Sequence, residues 1–226
     1  MDRIIISGVS RGIGFELLNL AIRNNIEVIG LSRNLNPVAH LASDSVSLYE
    51  LDLSKPESFE TLKTFLADNK AKKTALIHNA GYLVNKPFEE ISQEEFLKVY
   101  QVNVLGLALL NQTVLPYCLA DSHVLTLSSM GGIQGSMKFP GLAAYSSAKG
   151  AAITLSELLA EEYKDRKIAF NVVALGAVQT EMLEEAFPGY EAPIGPKDMA
   201  EYLFDLALKG HKIYNGKILQ ASSSTP

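Results

Sequence analysis

Sulfur and indole groups are scarce in this sequence, whose 226 residues include one cysteine, Cys118, and no tryptophan. A single cysteine excludes an intramolecular disulfide, which is typical of a reducing compartment and predicts a cytoplasmic location. The four histidines lie far apart without the spacing of metal ligands: His40, His78, His123 and His211. The sequence therefore predicts no histidine/cysteine metal site.

Positive charge and long apolar runs are also limited. Lysine and arginine number 20 against 25 aspartates and glutamates, which gives a net charge of −5. This balance provides no general attraction to nucleic acid or to an anionic membrane, so neither is predicted as a partner. The longest apolar region, residues 102–120, is interrupted by Asn103, Asn111, Gln112 and Pro116. These interruptions predict a buried helix and not a membrane span.

Continuous apolar runs alternate with helical patterns along the chain. Seven strands are predicted, at residues 4–7, 27–31, 46–50, 74–78, 123–127, 169–174 and 217–221. Five helices are predicted, at residues 13–24, 56–69, 93–115, 144–165 and 197–208. Continuous runs are typical of strands buried on both faces of a parallel sheet, and the alternation predicts right-handed βαβ crossovers. We expect one α/β domain over residues 1–226, Rossmann-type and doubly wound, with a mostly parallel seven-stranded sheet and helices on both faces.

Local signals refine these boundaries. Ser54 with Glu57, and Ser92 with Glu95, have the spacing of helix capping boxes. The polar tail at residues 222–226 is predicted to be frayed.

A glycine-rich turn, Ser7-Gly8-Val9-Ser10-Arg11-Gly12-Ile13-Gly14, connects the first strand to the first helix. Glycines there let the backbone approach a pyrophosphate, and the helix N-terminus supplies amide groups and positive dipole charge. The spacing G-x-x-x-G-x-G differs from the common G-x-G-x-x-G fingerprint, and an ordinary glycine-rich turn is the alternative. The strand–turn–helix context favours a dinucleotide. The candidate cofactor-binding residues of this turn are Gly8, Ser10, Arg11, Gly12, Ile13 and Gly14.

The ends of the second and third strands indicate which dinucleotide is bound. An NAD-selective site usually has an acidic residue after the second strand, but this chain has Ser32 and Arg33. Arg33 and Arg11 would suit the 2′-phosphate of NADP, although both could instead be solvated surface arginines. Asp52, beside Leu53, could accept a hydrogen bond from the adenine amino group or could only begin a turn.

Polar residues follow the fourth strand and interrupt the apolar helix after it. Asn79, Ala80 and Gly81 form a turn of small residues at a carboxyl strand end, where open α/β sheets bind ligands. Asn103 lies in the apolar helix, and its buried amide needs hydrogen-bond partners. A structural bond to neighbouring backbone is the simple role for Asn103, and it does not exclude a catalytic one.

Residues 125–149 combine a strand end, a loop and a helix start. The strand ends at Ser128 and Ser129. Tyr145 and Lys149 lie four residues apart on the helix and so project from one face. A nearby ammonium group lowers the pKa of a phenol, so we expect Tyr145 to act as a general acid/base. Ser129 would hydrogen-bond the same substrate oxygen, with Ser128 as the alternative.

The Tyr-x-x-x-Lys spacing is not specific by itself, because it occurs three times. The matches at residues 82–86 and 163–167 fall in a loop before a proline and at a charged helix end. Only Tyr145 and Lys149 open a long apolar helix just after strand-end serines. The alternative for this pair is a packed tyrosine and a surface lysine.

As an ordered set, five segments resemble the short-chain dehydrogenase/reductase family: residues 7–14, 79–81, 103, 128–129 and 145–149. The resemblance extends along nearly the whole chain. It implies a catalytic tetrad of Asn103, Ser129, Tyr145 and Lys149. In such a tetrad the lysine also holds the nicotinamide ribose, and the asparagine anchors a water-linked proton relay.

The resemblance also covers the segment after the sixth strand. Residues 174–180 look like the family's turn that contacts the nicotinamide amide, with Leu175 in place of the customary proline. This likeness adds Gly176, Val178 and Thr180 to the candidate cofactor-binding residues. The departures are a longer loop around residues 136–138, a short substrate-covering segment at 181–195, and a C-terminal Gln-Ala-Ser-Ser-Ser instead of Val-Asp-Gly-Gly.

The resemblance implies an NADPH-dependent oxidoreductase that reduces a ketone or aldehyde to an alcohol, reversibly, with a small-molecule carbonyl or alcohol as its partner. A non-catalytic NADP(H)-binding regulator is the alternative, which the intact tetrad disfavours. A homodimer through the helices at 93–115 and 144–165 is expected rather than a tetramer. The predicted apolar pocket walls are Met137, Phe139, Met182, Leu183, Phe187 and Tyr190.

Overall fold

The structure is a computed structural model that describes residues 1–222, so most of the tail predicted to fray, at 223–226, lies outside the described residues. The strands are β1 (Arg3–Ser7), β2 (Glu27–Ser32), β3 (Val46–Glu50), β4 (Thr74–His78), β5 (His123–Ser129), β6 (Ala169–Leu175) and β7 (Lys217–Ala221). The α-helices are α1 (Gly12–Arg23), α2 (Glu60–Asp68), α3 (Gln93–Tyr100), α4 (Gly106–Val114), α5 (Ala143–Glu162), α6 (Glu181–Ala186) and α7 (Pro196–Lys209).

The strands form one parallel sheet in the order β3-β2-β1-β4-β5-β6-β7. The chain moves outward from β1 to β3, then returns to the other side of β1 at β4. This reversal opens a crevice at the carboxyl ends of β1 and β4, where doubly wound sheets bind ligands. The predicted doubly wound α/β fold is confirmed, and all seven predicted strands form, with β5 and β6 extended to Ser129 and Leu175.

Helices cover both faces of the sheet. In β1, Ile4 and Ile6 pack into the core on the side of α1 and α7, whereas Ile5 packs on the side of α2 and α4. Successive side chains of a strand point to opposite faces, so a strand buried on both sides must be apolar throughout. This requirement explains why the strands are continuous apolar runs in the sequence.

One of the two predicted capping boxes forms, whereas the other box and one helix differ from the predictions. The capping box of Ser92 with Glu95 is confirmed, since Ser92 Oγ accepts from Glu95 N and Glu95 accepts from Ser92 N. The predicted box of Ser54 with Glu57 is wrong, because Ser54 Oγ donates to Asp52 Oδ1 instead. The predicted helix at residues 93–115 is divided by a π-helical turn, Gln101–Leu105.

Two buried histidines make the stability of the fold sensitive to acid. His78 Nε2 lies 3.1 Å from Asn111 Oδ1, and His123 Nδ1 lies 3.0 Å from the carbonyl oxygen of Ala207. Burial lowers the pKa of His78 and of His123 to about 4 each. Both are therefore neutral in the folded chain at pH 5, whereas an unfolded histidine with a pKa near 6.5 binds a proton there.

The contribution of these neutral histidines to the free energy of unfolding should therefore be fully present above about pH 6.5, and it should be lost as the pH falls towards 4. When the pH is lowered from 7 to 5, the two histidines together should lower the free energy of unfolding by about 4 kcal/mol. Urea unfolding at both pH values measures this loss. His78→Gln should make the pH dependence shallower, whereas His40→Gln, at an exposed position, should not change it. Equal slopes for both variants would contradict the assignment to buried imidazoles.

Candidate active site

A cavity of about 750 Å³ occupies the crevice at the carboxyl ends of the strands. It is lined by the β1–α1 turn, the segments that follow β2 to β6, the start of α5, and α6. Most of the predicted site residues meet here: Gly8, Ser10, Arg11, Gly12, Ile13, Ser32, Arg33, Asp52, Leu53, Asn79, Ala80, Gly81, Ser129, Tyr145, Lys149, Gly176, Val178 and Thr180. Gly14 and Asn103 are not among the lining residues.

The glycine-rich turn owes its shape to close backbone packing. Gly8 has a φ of +79°, and Gly12 has a φ of +57°, a region that side chains rarely adopt. A Cβ on Gly14 would lie 2.0 Å from the carbonyl oxygen of Gly8, so Gly14 lets α1 pack onto the turn. Asn79 Nδ2 braces the same turn by donating to the carbonyl oxygens of Ser7 and Gly8, each at 3.0 Å.

Tyr145 and Lys149 face the cavity from the first turns of α5. Lys149 Nζ lies 5.6 Å from the centroid of the Tyr145 ring and donates to the carbonyl oxygen of Leu127 at 2.8 Å. Burial raises the pKa of the Tyr145 phenol to about 12 and lowers the pKa of the Lys149 ammonium to about 8. The predicted lowering of the tyrosine pKa relied on the ammonium group together with the positive charge of an oxidised nicotinamide, whereas in the chain by itself burial raises this pKa.

The two strand-end serines have different surroundings. Ser128 is buried, and its Oγ donates to the carbonyl oxygen of Lys149 at 3.0 Å. Ser129 is only half-buried, and its Oγ accepts from the amide of Gly131 at 3.3 Å. The Ser129 hydroxyl hydrogen thus has no acceptor among the bonds observed. The Ser128 hydroxyl hydrogen, by contrast, is donated to the backbone of α5.

Asn103 lies in the π-helical turn, and its side chain forms the hydrogen bonds to neighbouring backbone that its structural role predicts. Its Nδ2 donates to the carbonyl oxygens of Tyr82 and Val99, at 2.7 and 2.9 Å, and its Oδ1 accepts from the amide of Tyr82 at 3.3 Å. Asn103 therefore fixes the loop after β4 against the helix. A Cβ on Gly81 would lie 3.1 Å from Asn103 Oδ1, a close approach that would press on this side chain, and at an ordinary 3.7 Å from Lys149 Nζ.

The arginines and Asp52 are partly engaged with the chain itself. Arg11 forms an ion pair with Glu185 of α6, in which Nη2 lies 3.2 Å from Oε2. Arg33 is exposed at the cavity wall and makes no ion pair within residues 1–222. Asp52 Oδ1 accepts from the amide of Ser54 at 2.9 Å and from its hydroxyl at 2.7 Å, so the turn-forming alternative for Asp52 is observed.

Helix α6 covers one side of the cavity and was not predicted. Thr180 Oγ1 caps it by accepting from the amide of Leu183 at 3.3 Å, and the signal in the sequence was the threonine before Glu181. Of the predicted apolar walls, Phe139, Met182, Leu183, Phe187 and Tyr190 do line the cavity. Sequence reasoning missed several lining residues, among them Tyr82, Leu83, Met130 and Leu142.

Met137 is a correction, because its side chain is 60% exposed and lies outside the cavity lining. The two residues on either side of it hydrogen-bond to backbone earlier in the same loop. Ser136 Oγ donates to the carbonyl oxygens of Met130 and Ile133, and Lys138 Nζ donates to that of Gly131. The residue between them is left facing outward.

The sequence also matches a known family. A family model described as short chain dehydrogenase matches residues 2–191. The chain belongs to the short chain dehydrogenase family. As a member, it is an oxidoreductase that uses a nicotinamide cofactor.

Known short chain dehydrogenases resemble the chain over most of its length. It is 33% identical to the uncharacterised oxidoreductase YciK of Escherichia coli K12 over 201 residues, 83% of this chain and 78% of that protein. A short chain dehydrogenase of Shigella flexneri 2a complexed with NADP superposes with a TM-score of 0.86 at 28% identity, covering 97% of this chain and 96% of that one. A 4-hydroxyisoleucine dehydrogenase complexed with NADH shares the fold, with a TM-score of 0.88 at 24% identity and coverage of 99% and 98%.

Two features are absent from the described residues of this short chain dehydrogenase. Within residues 1–222 no group of three or more histidines, cysteines, aspartates or glutamates is arranged to hold a metal ion. In the same part of the chain, no helix has the length and apolar character needed to cross a bilayer.

Proposed function

We propose that this protein is an NADPH-dependent reductase of a ketone or aldehyde, reversible as an alcohol dehydrogenase. The observation that carries the proposal is the meeting of Tyr145, Lys149 and Ser129 in the cavity that also contains the glycine-rich turn. A proton donor and a hydroxyl group are thereby presented next to a place for a dinucleotide. The alternative, a regulator that binds NADP(H) without turnover, has no feature of its own in its favour.

The residues at the start of α1 fit a dinucleotide. No side chain caps this helix, and Gly12 and Ile13 line the cavity, so the first amide groups are available to an anion such as a pyrophosphate. Gly8 and Gly12 present backbone without a Cβ to the same space. When bound, the nicotinamide cofactor supplies the hydride and, once oxidised, a positive charge.

The chain's own residues would manage the proton. With a pKa near 12, the Tyr145 phenol is neutral at pH 7 and can donate its proton to the more basic alkoxide that forms in reduction. Lys149, still mostly an ammonium ion at pH 7, would stabilise the phenolate that remains and hold the nicotinamide ribose.

Ser129, rather than Ser128, would bind the substrate oxygen. Its Oγ is half-exposed and has a free hydrogen to donate, so it can polarise the carbonyl group. Asn103 would act from outside the cavity, by holding the Tyr82 backbone in place and anchoring a water-linked proton path.

The remaining cofactor contacts follow from the lining. Ser10, Arg11, Ser32, Asp52, Leu53, Asn79 and Ala80 would surround the adenosine and phosphates, and Gly176, Val178 and Thr180 the nicotinamide. Gly14 would act only through packing, because it does not line the cavity.

Cofactor choice should depend on Arg33, the unpaired arginine at the end of β2. Arg33→Asp should raise the Kd for NADPH at least tenfold, because it removes a charge-assisted hydrogen bond to the 2′-phosphate and adds repulsion. The Kd for NADH should change little. Titration by cofactor fluorescence measures both constants. Arg23→Gln, at an exposed position on α1, is the matched control and should change neither. Equal affinities for NADPH and NADH in the unmodified protein would contradict the role of Arg33.

NADPH oxidation against a panel of ketones and aldehydes tests the function itself. Turnover that requires Tyr145 would support a reductase and exclude the hypothesis of a non-catalytic regulator. Tight NADPH binding without activity on any carbonyl compound would support the regulator instead.

A homodimer and a cytoplasmic location stay predictions. Exposed leucines on the helices expected to pair are compatible with the dimer, namely Leu97, Leu105 and Leu158. Light scattering in solution would distinguish a dimer from a monomer.

A further inference from the structure

The charged side chains of the cavity are concentrated at one end. Arg11, Arg33 and Asp52 follow β1, β2 and β3, which lie together on one side of the sheet. The other end lies beyond β4 and contains the proposed proton donor, Tyr145. Tyr145, Lys149, Ser128, Ser129 and the phenols of Tyr82 and Tyr190 supply the polar groups there, and the other side chains that line this end are apolar: Met130, Phe139, Leu142, Met182, Leu183 and Phe187.

Among the described residues, Lys149 is the one cation that lines the apolar end, and its Nζ is already engaged. Its side chain is 6% exposed, and its Nζ is already held at 2.8 Å by the carbonyl oxygen of Leu127. Its proposed partners are the phenolate of Tyr145 and the ribose.

The lysines in the loops around this end are engaged elsewhere. Lys138, in the loop before α5, donates to the carbonyl oxygens of Gly131 and Ile133 and to Ser136 Oγ. Lys86, in the loop after β4, forms an ion pair with Glu95. Neither lysine lines the cavity, so neither offers a counter-charge to a carboxylate or phosphate inside it.

The covering segment, residues 181–195, adds negative charge. It contains Glu181, Glu184, Glu185 and Glu191 and no lysine or arginine. Within residues 1–222, Glu185 of this segment forms an ion pair with Arg11, whose charge also attracts Glu181. An anion that approaches past this segment is therefore repelled, and inside the cavity it meets apolar walls without a partner.

We infer that the substrate is an uncharged carbonyl compound with an apolar body, and that carbonyl acids and phosphates are excluded. This inference rests on the proposed function, since it assigns the occupant of the same site. The aromatic and thioether side chains of Phe139, Phe187 and Met182 suit a flat or branched hydrocarbon group beside the reacting carbonyl. Discrimination arises from desolvation, because a carboxylate that enters loses water and gains no cation.

A matched set of substrates tests the inference. Methyl benzoylformate, benzoylformamide and benzoylformate share one ketone and one ring, and only the last is charged at pH 7. With NADPH, kcat/KM for the ester should exceed that for the carboxylate at least about 100-fold. The amide, which has the size of the acid without its charge, should lie between them. A carboxylate reduced as fast as the ester would overturn the inference while leaving the reductase function intact.

Binding separates this inference from the function. In the Tyr145→Phe variant loaded with NADPH, quenching of cofactor fluorescence should show ester binding and no carboxylate binding at the same concentration. If the ester binds but the unmodified protein turns over no carbonyl compound, the proposed function fails and the substrate class stands. Equal binding, or no binding of either compound, would overturn the substrate class.

A cation placed in the apolar wall should reverse the preference. Leu183→Lys should raise kcat/KM for the carboxylate relative to the ester at least tenfold, whereas Leu183→Gln, a polar control without charge, should not. An unchanged ratio in Leu183→Lys would show that charge at this wall does not set the selection, against the inference.

Discussion

Replacing Tyr145 by phenylalanine should lower kcat/KM for carbonyl reduction by about 10³-fold, a typical loss for a missing general acid. The substitution removes only the hydroxyl group, so the ring still fills the cavity wall beside Lys149. Among residues 1–222, Lys149 is the only buried lysine, so no other described tyrosine has the same relation to one. The Kd for NADPH should stay within about twofold, because Tyr145 contributes a proton and little binding energy. Steady-state NADPH oxidation and a fluorescence titration measure the two quantities.

Tyr163→Phe is the matched control for this experiment. Tyr163 also begins a Tyr-x-x-x-Lys sequence, but its ring packs against Phe170 and under Arg166, away from the cavity. Its loss of a hydroxyl group should leave kcat/KM unchanged. Retention of full activity in Tyr145→Phe would refute the proton-transfer role, and an equal loss in both variants would indicate a general effect on the fold.

Gly14→Ala should abolish tight cofactor binding and destabilise the fold. The added Cβ would lie 2.0 Å from the carbonyl oxygen of Gly8 and 2.5 Å from Asn79 Nδ2. The nearer atom belongs to the backbone of the turn and cannot rotate away, so α1 and the turn must separate. We expect a loss of about 3 kcal/mol in the free energy of unfolding, as for a severely overpacked core site. The Kd for NADPH should rise at least about 100-fold, because the amide groups at the start of α1 move.

Gly195→Ala provides the comparison for this clash. Gly195 is the N-cap of α7, whereas Gly14 lies in the first turn of α1, and a Cβ added to Gly195 would meet only Asp198 Oδ2, at an ordinary 3.5 Å. Urea unfolding should show a change below about 1 kcal/mol for this variant. If Gly14→Ala were as stable as Gly195→Ala, the close packing of the turn would not be a requirement of the fold.

The positions of the strands along the chain could be predicted, because burial on both faces makes each of them a continuous apolar run. A run such as Ile4-Ile5-Ile6 has no other simple explanation in a chain that alternates with helical patterns. The location of the candidate site followed, since the turn at Gly8–Gly14 and the residues after β4 and β5 must meet at one edge of a parallel sheet.

What the sequence could not predict depends on distance and desolvation. The ion pair of Arg11 with Glu185 joins residues 174 positions apart and has no local pattern. The raised pKa of Tyr145 arises from burial, which the sequence does not show. Met137 was misplaced because loop hydrogen bonds, not hydrophobicity, decide which way an exposed loop residue faces.

The π-helical turn at Gln101–Leu105 makes the length of this segment a constraint in its own right. A π turn holds one residue more than an α-helical turn, so one residue fewer between α3 and α4 would restore regular helical pairing within the turn while leaving the faces of α3 and α4 in place. Asn103 would then leave the Tyr82 backbone, although its identity in the sequence had not changed. A single-residue deletion here therefore removes the local backbone arrangement that places Asn103 against the loop after β4, while the helices on either side keep their packing.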